Sequence, residues 1–98
     1  GDESLYAGFY SSYFARDRDW FIQASVKEIT TFFADDPIYK LEMLTELIYR
    51  DARRLTDAEI QGAMYRKIIE LYDVIDARSM EFSVERMNRV AELKQLLG

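Results

Sequence analysis

The sequence contains no cysteine and no histidine. The chain therefore cannot form a disulfide, a thiol redox centre, a Cys–His or Ser–His–Asp nucleophile, or a zinc or haem site of the usual ligand set. The phosphate-binding motifs GxGxxG and GxxxxGK(S/T) are also missing, which leaves the common modes of nucleotide binding unsupported. We therefore expect no cofactor and no metal ion, and we predict that the protein is not an enzyme.

The chain has one proline, four glycines and no apolar run near the ~18 residues that a membrane span needs. So few turn-forming residues argue against a many-stranded sandwich or barrel. We expect no membrane partner, and because the lack of cysteine is compatible with a reducing compartment, the expected location is cytoplasmic. The first residue is Gly1 rather than methionine, which leaves open whether a segment precedes it.

Acidic residues outnumber basic ones by eighteen to thirteen, which gives a net charge of −5 and a pI near 4.7. Proteins that bind nucleic acid normally carry a basic surface, because their affinity comes from neutralising phosphates. We therefore expect no nucleic-acid partner. The acidic excess lies in residues 1–49, and the same half of the chain holds eleven of the fourteen aromatic residues.

Apolar residues recur at intervals of three and four along nearly the whole chain, which is the spacing of amphipathic helices. We predict a single domain over residues 1–98 with an all-α fold. Its helices form a compact antiparallel bundle of four to five members, at about 4–15, 19–34, 37–54, 57–76 and 83–97. Whether residues 4–34 form one helix or two is left open by the pattern. A break is favoured, because one helix would reach ~45 Å and overshoot its neighbours.

Capping residues indicate where the last three helices begin. Asp36 precedes Pro37, whose fixed φ suits a first helical turn. Thr56 and Glu59 have the spacing of a capping box, in which each side chain binds the backbone N–H of the other residue. Ser83 is the expected cap of the last helix.

The first twenty residues carry more aromatic rings than one helix face can hold, since the buried face of a helix spans only ~100°. Some of these rings must leave the inward face, and tyrosine and tryptophan are enriched at interfaces. The candidate interface residues are Tyr6, Phe9, Tyr10, Tyr13, Phe14 and Trp20. The alternative, a bulky core built around small residues, stays equally open.

Arg50, Arg53 and Arg54 are predicted to share one face near the end of the third helix. Guanidinium groups bind oxyanions in a bidentate manner, which makes these three residues the candidate anion contact. The alternative is that they only compensate the negative end of their helix.

Two carboxylate pairs, Glu42 with Glu46 and Asp73 with Asp76, are the candidates for a hydrolase that holds its metal with carboxylates alone. A ferritin-like di-iron site is excluded, because it needs a Glu-x-x-His motif. Exposed acidic pairs are common in acidic helical proteins, so we interpret both pairs as parts of solvated helix faces.

Gly62 lies inside the predicted fourth helix, with Tyr65 three residues later. A small residue followed by tyrosine at this spacing, within a helical hairpin, resembles tetratricopeptide-type helical repeats over part of residues 41–75. The resemblance implies a peptide- or partner-binding scaffold without catalytic residues. The aromatic residue expected four positions before the glycine is Ala58 here, and no period of about 34 residues is present. Independently, Gly62 predicts close packing against a bulky aromatic side chain, so that leucine there would overpack the core.

The function predicted from the sequence is that of a non-catalytic helical module that works by protein–protein contact. Its partner would be another protein or a second copy of the chain, bound through the aromatic N-terminal segment. The alternative prediction is a small-molecule or peptide-binding module with an aromatic-lined groove, in which the three arginines anchor an anion.

Overall fold

The computed structural model describes residues 2–98, which form six α-helices and no strand. The helices are α1 (Asp2–Phe14), α2 (Arg18–Gln23), α3 (Val26–Phe32), α4 (Ile38–Arg53), α5 (Ala58–Ser79) and α6 (Val84–Leu97). They pack into a body of 38 × 33 × 20 Å. The predicted all-α bundle is therefore confirmed, with one helix more than expected.

The chain breaks between α1 and α2, as the length argument favoured. Ala15 adopts a left-handed backbone with a φ of 60°, and this ends α1. The Asp17 side chain then accepts a hydrogen bond of 2.8 Å from the backbone N–H of Trp20, which starts α2. Residues 4–34 are consequently not one helix.

The prediction of one helix over residues 19–34 is wrong, because the chain turns at Ala24 and Ser25. Ser25 and Glu28 form a capping box in which each side chain binds the backbone N–H of the other at 3.0 Å. A capping box satisfies two backbone donors that a helix start leaves free, so it stabilises a new start at this point. The result is two short helices, α2 and α3.

Two of the three predicted caps are displaced by one residue. Pro37 itself occupies the position before α4, with no side-chain cap, so Asp36 does not cap this helix. The carboxylate of Asp57, rather than Thr56, accepts from the first free N–H groups of α5. The prediction for α6 is confirmed, since the Ser83 hydroxyl accepts from the N–H of Arg86 at 3.2 Å.

The core lies along the α4–α5 hairpin, and aromatic rings from α1 to α3 cover one side of it. The fully buried aliphatic residues of the hairpin are Leu41, Leu44, Ile48, Ala52, Ile68, Leu71 and Ile75. The rings that close the core are Tyr10, Phe14, Phe21 and Phe33. Phe14 and Phe33 meet edge to face with centroids 5.9 Å apart, an arrangement that aromatic pairs prefer.

The last helix, α6, is the least buried of the long elements. Leu93 is its only residue that is fully buried. Val90 and Leu97 are partly buried against the core, and ion pairs also join the helix to α4, since Arg86 lies 3.7 Å from Glu42 and Arg89 lies 3.0 Å from Glu46. Much of the apolar surface of α6 is therefore left outside. None of the helices in residues 2–98 has both the length and the apolar character of a membrane span.

Candidate interaction surfaces

Helix α1 carries two rows of large side chains, and each row repeats every fourth residue. The inner stripe is Tyr6, Tyr10 and Phe14, and the outer stripe is Leu5, Phe9 and Tyr13. The inner stripe runs into the core, where its last two rings are buried. In the outer stripe, Leu5 is 55% exposed and Tyr13 is 64% exposed. One helix thus contributes to the core and also presents a separate apolar row to solvent.

The six predicted interface residues are divided by this geometry. Tyr10 and Phe14 are buried in the core and offer no free ring surface. Trp20 is half-buried, and Arg16 stacks on its ring with the guanidinium carbon 5.1 Å from the centroid. Tyr6 and Phe9 are half-buried, so the surface that remains is centred on Phe9 and Tyr13. Sequence reasoning missed Leu5, although its four-residue spacing from Phe9 was a usable signal.

Gly8 lies in α1 beside the outer stripe and faces open space. A Cβ atom at this position would meet no atom within 4 Å. Glycine inside a helix costs about 1 kcal/mol relative to alanine. Nothing within a single molecule therefore requires glycine here.

A buried carboxylate joins the N-terminal helices to α4. Asp51 is fully buried, and it accepts hydrogen bonds from the Tyr10 hydroxyl at 2.8 Å and from Arg18 Nε at 2.6 Å. Arg54 Nη2 lies 2.7 Å from the same carboxylate and forms an ion pair with it rather than a hydrogen bond. We call these four residues the Asp51 cluster. Sequence reasoning missed it, although Asp51 continues an apolar row with Leu44 and Ile48 and is the one charged residue in that row.

The Asp51 cluster changes the acidity of its members. Burial, together with the charge and the hydrogen bond of Asp51, raises the pKa of the Tyr10 hydroxyl well above its ordinary value. Burial acts to lower the pKa of Arg18, but the hydrogen bond and charge of Asp51 outweigh it and raise that pKa. The cluster therefore keeps Tyr10 neutral and Arg18 charged over the usual pH range.

The three arginines predicted to contact an anion point in different directions. Arg50 Nε donates to Glu46 at 3.1 Å. Arg53 lies 3.5 Å from Glu92, and Arg54 belongs to the Asp51 cluster. Because each guanidinium already has its own carboxylate, the structure does not bring these residues together into one clamp.

The predicted acidic pairs are also occupied by arginines. Glu46 accepts from Arg89 at 3.0 Å, and Asp76 accepts from Arg86 at 2.6 Å. In the part of the chain that the structure describes, no three acidic side chains converge on a point where a metal ion would sit. The carboxylate-only hydrolase has no geometric support in these residues.

An open groove of about 610 Å³ lies between α5 and the end of α6. Its walls carry two arginines, one glutamate, one glutamine, one tyrosine and four small or aliphatic residues, namely Arg53, Arg66, Glu92, Gln61, Tyr65, Ala58, Gly62, Leu96 and Leu97. A Cβ at Gly62 would lie 3.6 Å from Leu97 Cδ2, an ordinary van der Waals distance. The expected packing of Gly62 against an aromatic ring is therefore wrong. Since the glycine borders an open groove, leucine there is not expected to overpack the core.

The connection between α5 and α6 and the start of α6 together expose four large apolar side chains. We call Met80, Phe82, Val84 and Met87 the hairpin patch. Met80 is 89% exposed and Phe82 is 79% exposed, while the other two are about half exposed. Phe82 and Met87 line one groove of about 330 Å³ together with Val90. This is the most exposed apolar surface of the molecule between residues 2 and 98.

Met80 is held in an unfavourable backbone conformation. Its φ of 55° and ψ of 25° are left-handed, and its N–H donates to the carbonyl of Asp76 to end α5. The position after a helix commonly takes this conformation, but glycine is preferred there. In any other residue the Cβ atom is crowded by the backbone, which costs about 1 kcal/mol or more. A large apolar side chain thus stands almost fully in water at a place where glycine would fit better.

Comparisons of this chain with protein-family models, with curated proteins and with solved structures found no match. The resemblance to tetratricopeptide-type repeats, which depends on Gly62 and Tyr65, stays a prediction.

Proposed function

We propose that the protein is a non-catalytic protein-interaction module that associates with a second copy of itself through α1. The observation that carries this proposal is the outer stripe, in which Leu5, Phe9 and Tyr13 form an apolar row on the solvent side of a helix whose inner stripe already serves the core. Burial of such a row against an equal row removes apolar surface from water on both copies. Because the chain lacks cysteine, the cytoplasm is the compartment that we propose.

The shape of α1 favours a second α1 as the partner of the outer stripe. Gly8 and Ser12 are four residues apart and form a shallow row beside the outer stripe. Helices pack by placing the side-chain ridge of one into the groove of the other. In a symmetric pair, the ridge of each copy enters the Gly8–Ser12 groove of the other, which gives the glycine the steric role that it lacks in a single molecule.

The charges of α1 favour an antiparallel arrangement of the two copies. Asp2 and Glu3 lie in its first turn, and Arg16 follows its end. The 13 residues of the helix span ~20 Å, so antiparallel packing brings the acidic start of each copy near Arg16 of the other. The two helix dipoles are then also opposed in direction, which is the favourable orientation.

The contact is expected to be weak. A single pair of short helices buries less than the ~1,200 Å² found in stable standard-size interfaces. We therefore expect a dissociation constant in the micromolar range or above, and a dimer that forms reversibly as the concentration rises.

Analytical ultracentrifugation over a concentration series tests the proposal. Tyr13→Asp is expected to weaken dimerisation at least about tenfold, because it places a charge within the apolar contact, at the most exposed residue of the outer stripe. The matched control is Tyr39→Asp, since Tyr39 is 54% exposed on α4, away from the outer stripe. A wild-type protein that stays monomeric at all concentrations contradicts the proposal, as does equal weakening by the two variants.

A second candidate function is the binding of a small amphipathic anion in the groove between α5 and α6. The groove combines aliphatic walls from Leu96 and Leu97 with Arg66, which has no carboxylate within ion-pair distance among residues 2–98. Calorimetry with dodecanoate as the probe tests it, with Arg66→Gln as the variant. Arg50→Gln is the control because Arg50 lies outside the groove. Equal affinity of the two variants removes this candidate.

A further inference from the structure

The hairpin patch has two features that folding alone does not explain. Met80 keeps a large side chain at a left-handed position where glycine fits better. Phe82, two residues later, leaves most of its ring in water. Neither side chain belongs to the core, so neither feature is compensated by packing within the molecule.

The groove beside the hairpin patch is rimmed by negative charge. Three carboxylates line it, those of Asp73, Asp76 and Glu81, against the single guanidinium of Arg86. Arg86 is already paired with Asp76 at 2.6 Å. Asp73 and Glu81 have no cation within ion-pair distance in the described chain. The rim therefore presents unpaired negative charge around an apolar floor.

We propose that the hairpin patch is the docking site for a basic amphipathic helix of a partner protein. An amphipathic helix inserts its apolar side chains into a groove of this kind, and its lysines and arginines then meet the acidic rim. Methionine suits such a surface, since its unbranched and polarisable side chain adapts to different apolar shapes. The site lies where the end of α5 meets the start of α6 and is separate from the proposed self-association surface of α1.

The charge of the rim distinguishes this partner from other occupants. A second copy of the chain would bring the same carboxylates to the contact, and like charges brought together reduce affinity. Nucleic acid and anionic membranes are repelled for the same reason. A basic helix is the occupant whose charge complements Asp73 and Glu81.

The proposal is tested by calorimetry with synthetic helices as probes. The first probe is a helix of about 18 residues with leucine on one face and lysine on the other, and the second has glutamate in place of lysine. The lysine helix is expected to bind with an affinity that falls as salt is added, and the glutamate helix is expected not to bind. Equal binding of both probes, or of neither, overturns the proposal.

The place of binding is tested by a ring substitution with a matched control. Phe82→Ser is expected to weaken binding of the lysine helix about tenfold, as loss of a central aromatic anchor does. Tyr39→Ser removes an exposed ring from α4, away from the groove, and is expected to leave the affinity unchanged. Equal effects of the two substitutions overturn the assignment. So does a change in sedimentation of Phe82→Ser without any peptide, which would assign the patch to a second copy.

The left-handed position offers a test that separates binding from folding. Met80 and Ala15 are the two residues other than glycine with positive φ in residues 2–98. Met80→Gly and Ala15→Gly both relieve Cβ strain, and both are expected to raise the melting temperature. Only Met80→Gly is expected to weaken binding of the lysine helix, by about fivefold. Unchanged affinity of Met80→Gly overturns the proposal.

The acidic rim is tested with two double variants that have the same net charge. The double variant Asp73→Asn with Glu81→Gln is expected to weaken binding of the lysine helix and to reduce its dependence on salt. The double variant Asp19→Asn with Glu70→Gln changes the net charge by the same amount at exposed positions away from the groove. If the two double variants bind equally, affinity follows net charge alone and the rim is not the site.

Discussion

Asp51 and Arg18 are joined by two hydrogen bonds across the contact between α4 and α2. Arg18 Nε donates to Oδ2 at 2.6 Å and Nη2 donates to Oδ1 at 3.3 Å, in the two-point geometry that gives guanidinium–carboxylate pairs their directionality. Because Tyr10 donates to the same carboxylate, one residue of α4 fixes the positions of both α1 and α2. The orientation of the outer stripe therefore depends on a buried ion pair.

Asp51→Asn is expected to lower the free energy of unfolding by about 3–5 kcal/mol. The substitution leaves the guanidinium groups of Arg18 and Arg54 partly buried without their counter-charge, which is far more costly than loss of a surface pair. Urea denaturation measures the change. Glu46→Gln is the control, since the pairs of Glu46 are more exposed and their loss is expected to cost about 1 kcal/mol or less. Equal losses from the two variants would contradict the role given to Asp51.

Tyr10 is expected to make the fold sensitive to alkaline pH. Its pKa in the folded protein is raised by burial and by Asp51, whereas in the unfolded chain it ionises near pH ~10. A raised folded pKa means that the stabilisation is complete below the unfolded pKa and is lost as the pH rises above it, by at most about 1.4 kcal/mol per pH unit. Urea denaturation between pH ~8 and ~11 measures this loss. Tyr10→Phe removes the ionisable group, so a variant with the same pH dependence as the wild type would contradict the prediction.

Ser25→Ala is expected to destabilise the protein by about 1 kcal/mol, because it removes the side-chain acceptor of the capping box at the start of α3. Ser12→Ala is the control, since Ser12 is exposed in the last turn of α1 and caps no helix. Thermal unfolding measures both variants. A smaller loss for Ser25→Ala than for Ser12→Ala would mean that the capping box does not determine where α3 begins.

The helical class was predictable because the spacing of apolar residues is a local property that does not depend on how the helices pack together. Sequence reasoning placed four of the five predicted helices to within a few residues and favoured the break after α1. It missed the break at Ser25, even though Ser25 and Glu28 have the spacing of a capping box. The apolar spacing typical of a helix continues through Ala24 and Val26, so the prediction followed this spacing rather than the capping residues Ser25 and Glu28.

The candidate surfaces were less predictable than the helices. The excess of rings in α1 was visible in the sequence. Which rings face inward depends on how α1 is rotated against the core, where Tyr10 donates to Asp51 and Phe14 packs on Phe33. The directions of the arginines were unpredictable for a similar reason. Arg50 and Arg54 are four residues apart, but they point apart because Arg50 pairs with Glu46 and Arg54 pairs with Asp51. Exposure of Phe82 depends on where α5 ends, which the pattern placed at residue 76 and the structure at Ser79.

Lys67 of α5 is expected to stabilise the end of α2, which lies far from it in the sequence. Its Nζ donates to the backbone carbonyls of Phe21 at 3.1 Å and Ile22 at 2.5 Å, which are among the acceptors that a helix end leaves free. Burial lowers the pKa of this amine, so the contact carries a desolvation cost that its hydrogen bonds must offset. Lys67→Met keeps the aliphatic stem but leaves both carbonyls without this donor, and a loss of about 1–2 kcal/mol is expected.

Urea denaturation of Lys67→Met and of Lys94→Met separates this role from a general effect of charge. Lys94 is exposed on α6 and makes no hydrogen bond or ion pair in the described chain, so its replacement removes the same charge without freeing a carbonyl. We expect Lys94→Met to change the free energy of unfolding by less than about 0.5 kcal/mol. If Lys67→Met proves as stable as Lys94→Met, the desolvation of the amine cancels its two hydrogen bonds, and α2 is held in place by its apolar contacts and the Asp51 cluster.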